Sequence, residues 1–90
     1  MRAPSYSTQF RRDVKRVEKR GYDMGKLRAV LQLLMDGSPL PARLKDHALK
    51  GNWKGWRDLH IEPDWVLIYW ADGAQVRFER CGTHADLFDT

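Results

Sequence analysis

Trp65-Val66-Leu67-Ile68-Tyr69-Trp70 is a dense run of β-branched and aromatic residues, long enough for a central buried strand, and its reading decides the fold. Asp72-Gly73 follows as a hairpin signal. Gln75-Val76-Arg77-Phe78-Glu79-Arg80 then alternates polar with apolar, as a strand with one wet face does. On that alternation Val76, Phe78 and Arg80 share one face, Arg77 and Glu79 the other, unless twist or a bulge near Gly82 turns Arg80. Upstream, Trp56 to Ile61 reads as a short strand and Glu62-Pro63-Asp64 as the turn between them. Three strands in a meander result, with Ala85-Asp86-Leu87-Phe88 left as a tail of about one helical turn.

The front half has a different period. Ser7 or Thr8 can cap a helix reaching about Arg20, with Phe10, Val14 and Val17 as its apolar stripe and Gly21 as its stop. Two basic rows lie on that helix, Arg11/Lys15/Lys19 and Arg12/Arg16/Arg20. Asp23 can cap a second helix over residues 24–36 that buries Met24, Leu27, Leu31 and Leu34. Gly37 and Ser38-Pro39-Leu40-Pro41 end it. The expected fold is α+β: an N-terminal antiparallel helix hairpin packed on a small antiparallel β-sheet, in a single domain over residues 1–90. Residues 3–6 add a candidate edge strand.

A chain that is 42% hydrophobic and 31% charged is ordinary for a globular protein and excludes a disordered one. No apolar run approaches the roughly 20 residues a membrane span needs. No apolar segment follows Met1 and Arg2 to suggest a signal peptide, and the one cysteine, Cys81, has no internal partner. The cytoplasm is the expected compartment. Residues 1–45 carry eleven Lys/Arg against four Asp/Glu; residues 46–90 carry five against eight. A basic front half suits a polyanion or an acidic protein partner, and equally a solvated helix surface.

Two of the three histidines, His47 and His60, fall within the fourteen residues before Ile61, and Asp64 follows closely. The third strand returns toward the Glu62-Pro63-Asp64 turn, so His60, Asp64 and His84 can meet there, with Arg80 four residues before His84. Imidazoles move protons near neutral pH. Two such groups and an arginine suit metal-free RNA cleavage, in which one takes the 2′-hydroxyl proton, the arginine steadies the phosphate and the other protonates the departing 5′-oxygen. Each residue also has an ordinary structural reading: Asp64 as a turn residue, Trp53, Trp56 and Trp65 as core or interface anchors, Arg80 in a surface pair with Glu79 or Asp86. Two further chemical readings are a zinc site at Cys81-x-x-His84 joined by His60 or His47, and a nucleophilic Cys81.

At these residues the chain closely resembles the YafQ family of bacterial toxins in the RelE/ParE superfamily. The resemblance lies in Asp46-His47-x-Leu49-x-Gly51-x-Trp53-x-Gly55-x-Arg57-Asp58-x-His60-x-Glu62-Pro63-Asp64-Trp65, in Leu67-Ile68-Tyr69, and in Arg77-Phe78-Glu79-Arg80-x-Gly82-Thr83-His84-x-x-Leu87-Phe88. It extends more loosely through the helices. Trp56, Trp70, Cys81 and the residues before Tyr6 depart from the family pattern. The resemblance implies a ribosome-dependent, metal-independent mRNA endonuclease, the toxin of a type II toxin–antitoxin pair, acting in the ribosomal A site with no cofactor. It implies an active site of His47, His60, Asp64 and His84, with Arg80 on the scissile phosphate and Phe88 positioning the substrate. Lys54 and Trp65, inside the same motif, are expected on the substrate-binding side. The implied partners are the ribosome, mRNA and a cognate antitoxin whose acidic segment wraps the fold, with no membrane. The readings from other classes are a non-catalytic RNA- or protein-binding module and a superfamily relative that poisons DNA gyrase.

Overall fold

Ser7 sets the start of α1 (Thr8–Lys19): its hydroxyl accepts the Phe10 N–H at 2.9 Å and donates to the Glu79 carbonyl at 2.6 Å. One side chain thereby caps the helix and ties it to the sheet. The computed structural model describes residues 1–88; Asp89 and Thr90 of the expected domain lie outside them. Gly21, at φ +85°, turns the chain after α1. Asp23 then caps α2 (Met24–Asp36) by accepting the Gly25 N–H at 2.9 Å, and Gly37 ends it in the left-handed conformation.

The strands are β1 (Ala3–Tyr6), β2 (His47–Ala48), β3 (Arg57–Glu62), β4 (Trp65–Ala71) and β5 (Gln75–Gly82), followed by α3 (His84–Phe88). They form one sheet in the order β1-β5-β4-β3-β2. The expected antiparallel meander holds for β3, β4 and β5; β2, which sequence did not suggest, adds antiparallel to β3, and β1 lies parallel to β5, so the sheet is mixed. The hairpin after β4 also differs from expectation in its cause. Gly73 does not take a positive φ; Asp72 Oδ1 instead accepts the N–H groups of Ala74 and Gln75, each at 2.7 Å. Short 3-10 turns at Ala42–Leu44 and Gly51–Trp53 flank β2.

The sheet has two buried faces of unequal depth. Leu59, Ile61, Trp65, Leu67, Tyr69, Val76, Phe78 and Cys81 pack with Phe10, Val17, Leu27, Val30 and Leu34 of the helices. On the other face Val66 and Ile68 are covered by Leu87, with Leu49, Trp53, Trp56 and Phe88 around them. A bulge decides which face Arg80 takes. Ile68 pairs with Arg80 but Tyr69 pairs with Phe78, so Glu79 is the extra residue. Phe78 and Cys81 both reach the helix side, and Arg80 leaves the face of Val76 and Phe78 to stand opposite Ile68. The strict alternation expected from sequence fails at Glu79, three residues before Gly82.

Candidate active site

The second face of the sheet carries the histidines. In β3, Leu59 and Ile61 face the helices, so Asp58 and His60 point the other way. His47 of β2 pairs with Asp58, and His60 pairs with Val66, which itself pairs with Gly82. His84 opens α3 immediately beyond. The three rings form a row, with centroids 6.4 Å apart from His47 to His60 and 5.3 Å from His60 to His84. Phe88 continues it, 6.2 Å from His84.

Each imidazole is held differently. β2 is only two residues long, and its approach is fixed by Asp46, which accepts from Arg57 Nη2 at 2.7 Å and Nε at 3.1 Å and from the Tyr69 hydroxyl. That bond and, foremost, burial push the Tyr69 phenol up. His47 Nδ1 lies 2.9 Å from the Lys45 carbonyl and is its donor. A carbonyl only accepts, so Nδ1 carries a proton, and in the neutral ring Nε2 is the acceptor. His84 Nδ1 lies 2.6 Å from Asp64 Oδ1, which also accepts the His84 main-chain N–H at 2.9 Å. The backbone bond, then the side-chain bond, holds the Asp64 carboxyl below its ordinary range. His60 makes no side-chain hydrogen bond among the described residues and stands between the other two rings.

α3 is short, and its position depends on the turn before it. Thr83 Oγ1 accepts the Asp86 N–H at 3.1 Å while Asp86 Oδ2 accepts the Thr83 N–H at 3.0 Å, a reciprocal cap. Arg20, the C-cap of α1, holds the same carboxylate at 2.7 Å, and this ion pair, before the Thr83 bonds, keeps Asp86 well below the usual carboxylate range. Gly82 is required here: its φ is +153°, and a Cβ would meet Asp86 Oδ2 at 2.9 Å.

Sequence reasoning passed over Asp58. Its side chain is 5% exposed and its Oδ1 lies 2.9 Å from His47 Nδ1. The contact is close but not aligned as a hydrogen bond, because that N–H points at Lys45, so Oδ1 is buried without a partner. Burial pushes the Asp58 carboxyl up, and attraction to His47, His60 and His84 pulls it partly back. The signal was present in sequence: Asp58 is two residues before His60 and so shares its face.

Of the expected substrate-side residues, Phe88 is in the row and Lys54 is exposed at the end of the Gly51–Trp53 turn, whose Trp53 flanks this face. Trp65 is not on the surface. It is 1% exposed and packs edge-on against Tyr22 at 4.9 Å, because β4 alternation sends Trp65, Leu67 and Tyr69 to the helix side. Arg80 pairs neither with Glu79, which Arg77 holds, nor with Asp86. Its Nε and Nη2 donate to Asp13 of α1 at 2.7 and 3.2 Å. Cys81 belongs to the helix-side core, away from His84, and burial pushes its thiol up to about 12, so it is not held as a nucleophile. Among the described residues no three His, Cys, Asp or Glu side chains are grouped as metal ligands. No helix among them is long and apolar enough to cross a membrane.

A mixed sheet packed on two helices, with an imidazole row on its opposite face, defines a small α+β protein. Residues 2–89 match the model of the bacterial toxin of type II toxin–antitoxin systems, YafQ, and the chain belongs to that family. The mRNA interferase toxin YafQ of Escherichia coli K12 is 55% identical over 84 residues, covering 92% of this chain and 91% of that protein. The putative toxin YafQ of Haemophilus influenzae is 39% identical over 88 residues, covering 90% and 86%. The E. coli DinJ–YafQ complex contains a chain that superposes with a TM-score of 0.91 at 53% identity, covering 98% of this chain and 99% of that one. A metal-bound toxin from Helicobacter pylori superposes at 0.90 with 34% identity, covering 98% and 100%.

Proposed function

We propose that the protein is the toxin of a type II toxin–antitoxin pair, a single domain over residues 1–90 that cuts mRNA in the ribosomal A site without a metal. It acts in the cytoplasm, with the ribosome, mRNA and an acidic cognate antitoxin as its partners. The row of His47, His60 and His84 with Asp64 carries this reading. A non-catalytic binder or a gyrase poison has no need of three imidazoles in line beside two carboxylates.

The contacts of the rings support a division of roles among them. His47 has its Nδ1–H on a neutral carbonyl and a free Nε2, so it takes the proton of the 2′-hydroxyl. The 2′-oxygen attacks phosphorus, and negative charge builds on the non-bridging oxygens, where Arg80 supplies positive charge. His84, whose Nδ1 proton faces the ionised Asp64, delivers its Nε2 proton to the departing 5′-oxygen. The products are a 2′,3′-cyclic phosphate and a 5′-hydroxyl. His60, between the two, hands on protons or replaces either neighbour. Phe88 stacks on the base beside the cut and Lys54 meets a flanking phosphate. Arg11, Arg12, Lys15 and Lys19 on α1 favour ribosomal RNA, with strong salt dependence.

Expression of His84→Ala tests the reading: growth continues without antitoxin while binding of the antitoxin is retained. Toxicity equal to that of the unsubstituted chain would remove His84 from the site. The E. coli relative is an mRNA interferase toxin, and E. coli YafQ is also found in complex with DinJ, which supports both halves of the proposal. The metal-bound Helicobacter neighbour keeps a second, metal-dependent reading open. Chelator added to a cleavage reaction separates them: unchanged cleavage supports the metal-free route, and inhibition reversed by added zinc supports the other.

A further inference from the structure

Asp13 is the one carboxylate inside the buried stripe of α1, and it has no exposed surface. It sits between Phe10 and Val17 at helical spacing, where an apolar residue would extend the stripe. Its position follows from the edge of the sheet. β1 pairs with β5 only from Gln75 to Phe78. Beyond that, among the described residues, no strand lies beside the outer edge of β5, and α1 runs along it instead. The Cys81 N–H on this edge donates to Asp13 Oδ2 at 3.1 Å. Arg80 Nε and Nη2 donate to both oxygens of the same carboxylate, and Arg16 Nη2 donates to Oδ1 at 2.8 Å.

We propose that Asp13 is a positioning residue for catalysis, holding Arg80 by one edge of its guanidinium so that the other edge is presented to the scissile phosphate. This rests on the proposed contact between Arg80 and the phosphate. A guanidinium has five N–H donors in one plane. Asp13 engages the Nε–H and one Nη2–H, which fixes the plane and leaves three N–H groups for phosphate oxygens. The carboxylate does not neutralise the site, because Arg16 shares it. Arg16 Nε in turn lies 4.0 Å from Asp86, which Arg20 also holds, so the ladder Arg80–Asp13–Arg16–Asp86–Arg20 has one more positive charge than negative. The same ladder seats α3, and with it His84 and Phe88, against α1. An apolar residue at position 13 would fill the space but leave the Cys81 N–H without its acceptor and Arg80 free to rotate.

Single-turnover cleavage on programmed ribosomes tests this with Asp13→Asn, Arg80→Ala and the double variant. Asparagine keeps one neutral acceptor for the Cys81 N–H but loses the charge and the second acceptor oxygen. Asp13→Asn should lower kcat roughly tenfold with KM nearly unchanged, and Arg80→Ala should lower it roughly a hundredfold. The double variant should be no slower than Arg80→Ala alone, because Asp13 acts through Arg80. Multiplying losses, or a silent Asp13→Asn beside a damaged Arg80→Ala, overturns the positioning role. Full activity of Arg80→Ala instead removes the phosphate contact on which the role rests. Should Asp13→Asn not fold, NMR of the unsubstituted protein decides: the Arg80 Nε–H must exchange with water at least tenfold more slowly than that of exposed Arg12. Equal exchange overturns the clamp.

Discussion

Two donors of His84, its main-chain N–H and its ring Nδ1, converge on a single oxygen of Asp64, at 2.9 and 2.6 Å. The backbone bond places the residue and the ring bond orients it. Asparagine at position 64 keeps a neutral acceptor but loses the negative charge that faces the ring Nδ1–H. Asp64→Asn should therefore cleave roughly 10- to 100-fold more slowly, with an unchanged circular dichroism spectrum. Single-turnover rates by primer extension check this, and an unchanged rate would separate Asp64 from the chemistry.

Asp58 should behave in the opposite sense for stability. Its carboxyl is pushed up by burial, so the ionised form is less favourable in the folded protein than in the unfolded chain. Asp58→Asn removes that burden at neutral pH and should raise stability by about 1 kcal/mol. It also removes the negative charge beside His47 and should slow cleavage roughly tenfold. Chemical denaturation and cleavage rates together check the pair of effects. A variant less stable and fully active would contradict both.

Acid should loosen α3 first. Asp64 is held low by the His84 N–H and ring, and Asp86 by Arg20 and then Thr83. A carboxylate whose pKa is lower folded than unfolded contributes stability above its unfolded pKa and loses it as pH falls through the folded value. The contribution of these two is complete above about pH 5 and declines below about pH 4. Asp64 is largely exposed, so its share is modest; Asp86 is mostly covered and carries the larger share. Protection of the amides of residues 82–88, relative to their intrinsic exchange rates, should fall below about pH 4 before the central strands respond. Uniform protection of both regions to pH 2 would contradict this.

The fit of Gly82 against Asp86 gives a steric test. Gly82→Ala combines a strained positive φ with a Cβ 2.9 Å from Asp86 Oδ2, so it should cost about 1–3 kcal/mol and displace α3. The thermal midpoint and the cleavage rate should both fall. A midpoint equal to that of the unsubstituted chain would mean the turn has another shape.

Much of this arrangement was legible because it is locally encoded. Residues 24–36 form α2 because cap, period and stop lie within the segment itself, at Asp23, the leucines and Gly37. β4 and β5 were readable from their composition, and the meeting of His60, Asp64 and His84 followed from the meander. What depended on distant partners was not readable. β2 is two residues held by Asp46 through Arg57 and Tyr69, contacts spanning 11 and 23 positions. The bulge at Glu79 arises from pairing with β4, so the face of Arg80 was assigned from an alternation that stops there. Trp65 was placed with the substrate by its motif, although β4 alternation sends it to the core. Asp13 carried a visible signal, a charge inside an apolar stripe, whose meaning lay 67 residues away at Arg80.

Primer extension on a defined message, free or bound to programmed ribosomes, tests the central claim most directly. The account predicts a cut within the A-site codon only when ribosomes are present, a 2′,3′-cyclic phosphate on the upstream fragment, and no cut with His84→Ala. Cleavage of the free message at the same sites and rate, or undiminished cleavage by His84→Ala, would contradict it.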